Sequence, residues 1–255
     1  MGSAVKRIDD HRMLIGGAPA EASDGGWIES SDPYAGEVWA RVPRGTAADA
    51  ARAVEAAHAA FHSPAWRGLT PSARGKLLRR VGDLIARDAE KLARLEVRNN
   101  GKLLAEMRAQ LRYIPQHFHY FAGLADKIEG AVIPVDKADA FNFTHHEPLG
   151  VCVAITPWNS PLLLAANKLC PGLAAGNTFV LKPSEFTSVS SLEFAKLFDE
   201  AGFPPGVVNV VTGFGDEVGQ ALVTHPKVRK VAFTGSERAG RHINTLAATD
   251  FKRVT

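Results

Sequence analysis

The residues best suited to chemistry lie in four short segments, each at the end of a predicted strand. Residues 155–159 read I-T-P-W-N, and the side-chain amide of Asn159 could stabilise a developing oxyanion. Residues 181–185 read L-K-P-S-E, where Glu185 is placed like the acid that holds a ribose hydroxyl in dinucleotide-binding folds and Lys182 could add a donor. Residues 213–219 and 233–236 bring glycines to strand–helix junctions, where backbone can approach a phosphate and a helix N-terminus attracts anions.

Each segment also has a purely structural interpretation. Asn159 precedes Pro161 in a position where Asn commonly caps a helix. Residues 182–185 could form a solvated loop. The glycine spacing is G-x-G-x-x-x-G rather than the dinucleotide fingerprint G-x-G-x-x-G, and a glycine at such a junction is most often only part of a turn. Taken singly, no segment decides between a structural and a functional role.

The elements that position these segments alternate along the chain after residue 149. Strands are predicted over 150–156, 178–181, 207–211 and 230–234, and helices over 161–174, 188–201, 216–223 and 236–247. Apolar strands that are separated by helices indicate an α/β fold with a parallel sheet covered on both faces. Ligands bind to such sheets beyond the carboxyl ends of the strands, where all four segments fall.

The first half of the chain is predicted to hold short strands followed by helices. β-forming residues alternate over 37–42, and Thr46 and Asp49 have the spacing of a capping box. Thr70 followed by proline marks a second helix, which we expect to continue to the stop signal N-N-G at 99–101.

A third helix and a hairpin complete this half. The helix is predicted over 103–124, with a kink or break near Pro115. Residues 131–135 and 140–145 predict two strands of an exposed hairpin, and exposed hairpins often serve oligomerisation.

The composition excludes several classes of protein. The 255 residues are 45% hydrophobic and 22% charged, with a formal net charge of +3, and these are ordinary values for a globular protein. The charges are scattered and their excess is small, which argues against a nucleic-acid partner. No apolar run approaches the roughly 20 residues that a membrane helix needs. We therefore expect a cytoplasmic protein with no nucleic-acid and no membrane partner.

Neither the cysteines nor the histidines form a site. Cys152 lies in a predicted buried strand and Cys170 on a packed helix, where free cysteines are usually small core residues. A reactive thiol is accessible and near a positive charge. His58 and His62 are four residues apart but lack the H-E-x-x-H pattern. No metal site is predicted.

The ordered set of motifs resembles the NAD(P)-dependent aldehyde dehydrogenase family. The resemblance is carried by P-W-N at 157–159, L-A-A-G-N at 173–177, K-P-S-E at 182–185, G-F-G-x-x-x-G at 213–219 and F-T-G-S at 233–236. It extends weakly through the helical N-terminal part. Chance agreement of all five motifs in this order is negligible.

The resemblance implies a role for nine residues. Asn159 resembles the family's oxyanion-hole amide, and Lys182 with Glu185 the pair that holds the adenosine ribose. The other implied cofactor contacts are Gly215, Gly235 and Ser236 around the adenosine and pyrophosphate, and Ile155, Thr156 and Trp158 near the nicotinamide. A carboxylate near the 2′-hydroxyl repels the 2′-phosphate of NADP, so the expected cofactor is NAD, with NADP as the alternative.

The sequence also departs from the family pattern. An aromatic residue that often follows the oxyanion Asn is Ser160 here, and a second tunnel aromatic corresponds to Asn167. This predicts a wider, more polar tunnel for an aldehyde with hydroxyl, amine or carboxylate groups. By the resemblance, the family's nucleophilic Cys and general-base Glu lie C-terminal to residue 236, in motifs that these 255 residues lack.

The resemblance therefore predicts the N-terminal part of an aldehyde dehydrogenase, cut before its catalytic Cys and Glu. The whole enzyme would oxidise an aldehyde to a carboxylic acid through a thiohemiacetal, while the isolated 255-residue chain would be inactive. The alternative is a catalytically inactive nucleotide-binding fragment or scaffold protein. An acylating relative that passes the acyl group to coenzyme A is a third reading.

Three regions are expected. Residues 1–127 hold strands and helices that pack on the cofactor domain, residues 128–148 an oligomerisation hairpin, and residues 149–255 an incomplete Rossmann-type NAD-binding domain. A homodimer or homotetramer is predicted.

Overall fold

The computed structural model describes residues 8–255. Its strands are Asp9–Asp10 (β1), Met13–Ile15 (β2), Ala18–Ala20 (β3), Trp27–Asp32 (β4), Glu37–Pro43 (β5), Val132–Ile133 (β6), Asn142–Phe143 (β7), Val151–Ile155 (β8), Thr178–Lys182 (β9), Val208–Val210 (β10), Val228–Phe233 (β11) and Arg253–Val254 (β12). Its helices are Ala47–His62 (α1), Pro64–Arg67 (α2), Pro71–Arg87 (α3), Ala89–Asn100 (α4), Leu104–Leu124 (α5), Pro161–Ala174 (α6), Ser188–Ala201 (α7), Gln220–Thr224 (α8) and Glu237–Ala248 (α9). A 3-10 turn covers Glu185–Thr187, and a π-helical turn covers Gly215–Gly219.

Seven strands form the central sheet, in the order β12-β11-β8-β9-β10-β2-β3. The five strands from β12 to β10 pair in parallel, which confirms the predicted α/β fold. Strands β2 and β3 extend the sheet in antiparallel fashion. Sequence reasoning missed these two strands because segments of three residues are too short to show a period of two. A smaller sheet has the order β1-β5-β4.

The predicted helix starts at Thr46 and Thr70 are present, but the second predicted helix is divided into two helices in the structure. The backbone N–H of Thr46 donates to Asp49 Oδ2 at 2.8 Å in the capping box, and Thr70 Oγ1 accepts from the N–H of Ala73 at 3.2 Å. The single helix expected over 70–101 is α3 followed by α4, because the backbone departs from helical geometry at Asp88. Gly101 ends α4 with a φ of 72°, as its sequence signal predicts.

Two further expectations concern α5 and the hairpin. A kink or a break was predicted near Pro115; helix α5 continues through this residue, so there is no break. Strands β6 and β7 pair in the predicted hairpin but are only two residues long each. Phe141 and Phe143 in this hairpin are 74% and 59% exposed. An exposed aromatic pair of this kind is typical of a contact surface.

Helices cover both faces of the sheet. On one face, α3, α5, α6 and α7 enclose a core in which the rings of Phe118, Phe194 and Phe198 lie 5.4–6.2 Å apart between centroids. On the other face, α1, α8 and α9 enclose a second core. Every residue of β9 is buried between them. This two-sided burial holds the carboxyl ends of the strands in fixed positions.

A buried amide joins the N-terminal strands to the sheet. Asn209 in β10 is 0% exposed, and its Nδ2 donates to the carbonyls of Phe179 and Gly206 at 3.1 and 2.7 Å. Its Oδ1 accepts from the N–H of Gly16 at 2.8 Å, in the turn between β2 and β3. Because unpaired buried amides are costly, these three bonds fix the turn against the sheet.

Among residues 8–255, no helix combines the length and the apolarity needed to cross a membrane.

Candidate functional site

A cavity of about 1040 Å³ lies at the carboxyl edge of the parallel strands. Its walls are the segments that follow β8, β9 and β11, together with the π-helical turn, α8 and α9. Because these strands are parallel, their carboxyl ends meet at one edge of the sheet. Backbone hydrogen bonds hold the edge together: the N–H of Thr156 donates to the carbonyl of Lys182 at 3.2 Å, and that of Thr234 to Ile155 at 3.1 Å.

The cavity brings together all the residues predicted for catalysis and cofactor binding. They are Ile155, Thr156, Trp158, Asn159, Lys182, Glu185, Gly215, Gly235 and Ser236. Their individual roles remain predictions, but their common location is a property of the fold. Segments as far apart as residues 155 and 236 meet because each follows a strand of the same sheet.

Asn159 lies exposed at the cavity, and the helix next to it is capped without it. The N-cap of α6 is Ser160, so the prediction that Asn159 caps this helix is wrong. In the described part of the chain, the Asn159 side chain makes no hydrogen bond. Its amide is therefore available to a ligand.

Lys182 and Glu185 form an ion pair in the cavity wall. Lys182 Nζ lies 3.4 Å from Glu185 Oε2, and Lys182 is only 3% exposed, so the solvated-loop reading of this segment is wrong. Burial lowers the pKa of Lys182, and the Glu185 charge opposes that shift. The pair offers a cationic donor beside a carboxylate acceptor, which is the combination that two neighbouring hydroxyl groups can use.

The glycines serve two different purposes. Gly213 has a φ of 141°, and a Cβ there would lie 2.5 Å from Val218 Cγ2, so the turn itself requires glycine. At Gly215 and Gly219 an added Cβ would meet no atom within 4 Å, and both residues line the cavity. The backbone of the π-helical turn is therefore open to close approach by a ligand.

Two hydroxyl groups complete the geometry. Ser236 is the N-cap of α9, and its Oγ accepts from the N–H of Ala239 at 3.3 Å. Thr156 Oγ1 is buried without a hydrogen-bond partner within residues 8–255. A buried hydroxyl without a partner is rare unless water or a ligand supplies one. Together with the open glycines, it makes the cavity suited to a large polar molecule such as a dinucleotide.

Sequence reasoning missed several cavity residues. Phe186, Arg238 and His242 also line the walls. The spacing of four between Arg238 and His242 on one helix was an available signal. Lys168 Nζ donates to Thr234 Oγ1 at 2.6 Å beside the cavity, and burial lowers the Lys168 pKa to about 8. No local pattern marks this pair, because its members are 66 residues apart.

The two residues that depart from the family pattern lie on or next to α6. Ser160 is 7% exposed, and its Oγ accepts from Gln110 Nε2 at 3.2 Å. Asn167 is exposed. Neither lines the cavity described above.

The two cysteines are core residues, as the sequence predicts. Cys152 and Cys170 are both buried. Burial raises the pKa of Cys152 to about 12 and that of Cys170 well above its ordinary value. Neither thiol is therefore a nucleophile near neutral pH. Over residues 8–255, no group of three or more His, Cys, Asp or Glu side chains could hold a metal ion.

Comparisons with known proteins identify the family of the chain. The family model described as "Aldehyde dehydrogenase family" matches residues 20–255. The chain is 50% identical over 228 residues to the (Z)-2-((N-methylformamido)methylene)-5-hydroxybutyrolactone dehydrogenase of Acinetobacter baylyi, covering 89% of this chain and 47% of that protein. It is 49% identical over 228 residues to the mitochondrial aldehyde dehydrogenase of Homo sapiens, covering 88% and 44%.

Solved structures give the same result. The betaine aldehyde dehydrogenase of Staphylococcus aureus, in complex with NAD⁺, has a TM-score of 0.93 at 40% identity, over 96% of this chain and 48% of that one. An NAD-dependent aldehyde dehydrogenase of Sinorhizobium meliloti has a TM-score of 0.94 at 39% identity, over 98% and 50%. The chain spans about half the length of the relatives that it matches. By its motifs, its fold and these matches, the chain belongs to the aldehyde dehydrogenase family.

Proposed function

We propose that this chain supplies the NAD(P) site and one oxyanion donor of an enzyme that oxidises an aldehyde to a carboxylic acid through a thiohemiacetal. The observation that best supports the proposal is that all nine predicted site residues surround one cavity at the carboxyl edge of the sheet. Ligands of open α/β sheets bind at this edge.

Different parts of the cavity wall contact different parts of the cofactor. Lys182 and Glu185 hold the adenosine ribose through its hydroxyl groups, while Gly215, Gly235 and Ser236 contact the adenosine and pyrophosphate. The N-terminus of α9, which begins after Ser236, carries a partial positive charge suited to the pyrophosphate.

The nicotinamide lies at the other side of the cavity. Ile155, Thr156 and Trp158 form its wall, and the unpartnered hydroxyl of Thr156 is free to bond a polar group there. When bound, NAD⁺ supplies a hydride acceptor for the reaction.

Asn159 acts on the substrate. Its side-chain NH₂ donates to the oxygen that gains negative charge when a thiolate attacks the aldehyde carbonyl. Removing one donor of this kind typically slows the reaction by about 10²- to 10³-fold. The thiolate itself comes from neither Cys152 nor Cys170, because both are buried and protonated near neutral pH.

The cavity favours NAD over NADP. A 2′-phosphate would meet the carboxylate of Glu185, and the ammonium group beside it, Lys182, is already paired with that carboxylate. The NAD⁺ complex of the Staphylococcus aureus relative supports the same choice.

The substrate is proposed to be a polar aldehyde. Ser160 and Asn167 present small or polar side chains where the family often has aromatic ones. The name of the Acinetobacter baylyi relative specifies a substrate with hydroxyl and formamido groups. The exposed hairpin of β6 and β7 is proposed to serve assembly into a homodimer or homotetramer, in a cytoplasmic protein that has the three regions 1–127, 128–148 and 149–255.

Calorimetric titration of the 255-residue chain with NAD⁺ and NADP⁺ tests the proposal. We expect saturable binding of NAD⁺ and weaker binding of NADP⁺ to the parent chain. In Glu185→Ala we expect weaker binding of NAD⁺ and a smaller preference for NAD⁺ over NADP⁺, because the carboxylate that repels the 2′-phosphate is gone and Lys182 is unpaired. A panel of polar and alkyl aldehydes with NAD⁺ then tests turnover. Binding without NADH formation would favour the inactive nucleotide-binding fragment, and absence of binding would refute the proposed cofactor site.

A further inference from the structure

Among the residues that the structure describes, the Asn159 side chain makes no hydrogen bond that would fix its orientation, so its position depends on the backbone on either side of it. Its side chain is exposed and unpaired, and it lies between the end of β8 and the start of α6. Two helices outside the sheet reach this segment. Glu96 Oε1 on α4 accepts from the N–H of Leu162 at 3.0 Å, and Gln110 Nε2 on α5 donates to Ser160 Oγ at 3.2 Å.

Glu96 replaces a local helix cap. The first N–H groups of a helix have no partner within it, and a side chain at the N-cap usually supplies one. The N-cap residue Ser160 makes no such bond, and α6 starts with a proline, so Leu162 is the first residue of the helix that has an N–H to offer. The carboxyl of Glu96, which lies 66 residues earlier in the chain, accepts the hydrogen bond from that N–H.

Burying a carboxyl group at this position costs free energy. Glu96 is 0% exposed, and its second oxygen, Oε2, is buried without a hydrogen-bond partner in the described part of the protein. An isolated carboxylate in a dry interior is strongly disfavoured, and burial raises the pKa of Glu96 to about 7. An apolar side chain of similar volume would avoid the desolvation but would leave the buried Leu162 N–H without its acceptor.

We propose that Glu96 is a positioning residue for Asn159, whose carboxyl fixes the first turn of α6 and so sets the direction of the neighbouring amide. This inference rests on the proposed oxyanion role of Asn159. The connection between Glu96 and Asn159 is short, because Leu162 is only three residues after Asn159. Pro161 lies between these two residues and restricts the backbone.

Burial moves the pKa of Glu96 toward neutral pH and does the same for Lys168 on α6, so the Glu96→Gln variant is needed to assign a titration to Glu96. The positive charge of Lys102 opposes the effect of burial on the pKa of Glu96. On the other elements packed against α4, Asp32 pairs with Arg98, Arg108 with Glu90, Glu193 with Lys196, and Glu185 with Lys182. These elements also carry Glu29, Arg112 and His117, and burial lowers the pKa of His117. Loss of the Glu96 proton above neutral pH adds a full negative charge at the start of α6, which strengthens its bond to the Leu162 N–H.

Two variants separate the role of Glu96 as a hydrogen-bond acceptor from the role of its negative charge. Glu96→Gln keeps an oxygen that accepts from Leu162 but cannot ionise, and Glu96→Leu removes the acceptor. Amide hydrogen exchange of a peptide covering 157–164 reports the local effect, and a peptide from α7 reports the global one. We expect exchange in the first peptide to rise at least tenfold in Glu96→Leu, with no change in α7 and near-parental exchange in Glu96→Gln.

A second readout follows the segment with pH. Trp158 is 54% exposed beside Asn159, so its quenching by acrylamide reports the segment, with Trp158→Phe identifying its contribution. We expect the parent signal to titrate with a midpoint near pH 7 and Glu96→Gln to show no such step. This titration decides the question even if Glu96→Leu fails to fold.

The outcomes are separable from those of the proposed function. Unchanged exchange over 157–164 in Glu96→Leu, equal increases there and in α7, or an identical pH titration in Glu96→Gln would each overturn the positioning role. NAD⁺ binding is measured on the parent and on Glu96→Gln, where it is expected to stay within twofold of the parent, because Glu96 does not line the cavity and the glutamine keeps the acceptor for Leu162. A parent chain that fails to bind NAD⁺ refutes the cofactor site, and the exchange result still stands.

Discussion

The substitution Gly215→Ala places a methyl group in the cavity without disturbing the fold around it. An added Cβ at this position meets no protein atom within 4 Å, and Gly215 lines the cavity. Replacing glycine by alanine in a compatible conformation stabilises a protein by about 0.4–1 kcal/mol. For a chain of this size, 1 kcal/mol corresponds to roughly 2–4 °C, so we expect the Tm to rise by about 1–4 °C.

The same methyl group occupies space that the proposed cofactor needs. An extra methylene forced into a close-packed contact costs about 1–3 kcal/mol. Because 1.4 kcal/mol is a factor of ten in Kd, NAD⁺ binding should weaken by about 5- to 150-fold. The assay is calorimetric titration with NAD⁺, with thermal unfolding measured on the same preparations.

Gly123→Ala is the matched control. Gly123 also has open space around it, but it lies on α5, away from the cavity. It should give a similar rise in Tm and an unchanged Kd. An unchanged Kd in Gly215→Ala would show that no cofactor lies against this turn. A fall in its Tm would show that the space around Gly215 is not open.

Four further predictions concern single groups. Glu185→Ala leaves the buried Lys182 unpaired and should lower the free energy of unfolding in urea by about 1–3 kcal/mol; no change would mean that the pair is solvated. Asn159→Ala should leave the Tm within about 1 °C, because its amide has no partner in the described chain; a larger fall would reveal a structural role. The Glu96 pKa is raised from 4.5 to about 7 in the fold, so its neutral form stabilises the protein below pH 4.5 and that stabilisation is lost as the pH rises through 7. The parent should therefore lose roughly 3 kcal/mol relative to Glu96→Gln between pH 4.5 and 8 in urea titrations, and parallel curves would contradict the burial of this carboxyl. Ellman's reagent should label neither Cys152 nor Cys170 before unfolding and both in urea; rapid labelling of the native chain would contradict their raised pKa values.

Features that depend on local signals were predictable from the sequence. The capping box at Thr46 and the left-handed stop at Gly101 each depend on a few neighbouring residues. The alternation of apolar strands and helices after residue 149 predicted the parallel part of the sheet. The same topology explains why the cavity could be predicted, since every candidate residue either ends a strand or lies in the segment that follows one.

Features that depend on distant contacts were not predictable. Strands β2 and β3 exist because β10 offers an edge for pairing, and their own sequence shows no period. Asn159 looked like a helix cap because its spacing from Pro161 allows it, yet Glu96 on α4 binds the helix start instead. The contact between Lys168 and Thr234 likewise joins residues that only the folded sheet brings together.

The hydrogen bond between Gly16 and Asn209 also sets an order of events in synthesis. The two residues are 193 positions apart, so the N-terminal hairpin has no sheet edge to join until most of the chain has been made. At about 5–20 residues per second, that interval lasts roughly 10–40 s. Contacts between such distant residues form late and slow folding. The β2–β3 hairpin is therefore a late-docking element, whose β2 edge stays unpaired in the nascent protein until β10 has been made, and that edge is the natural place for a chaperone to bind or for aggregation to begin.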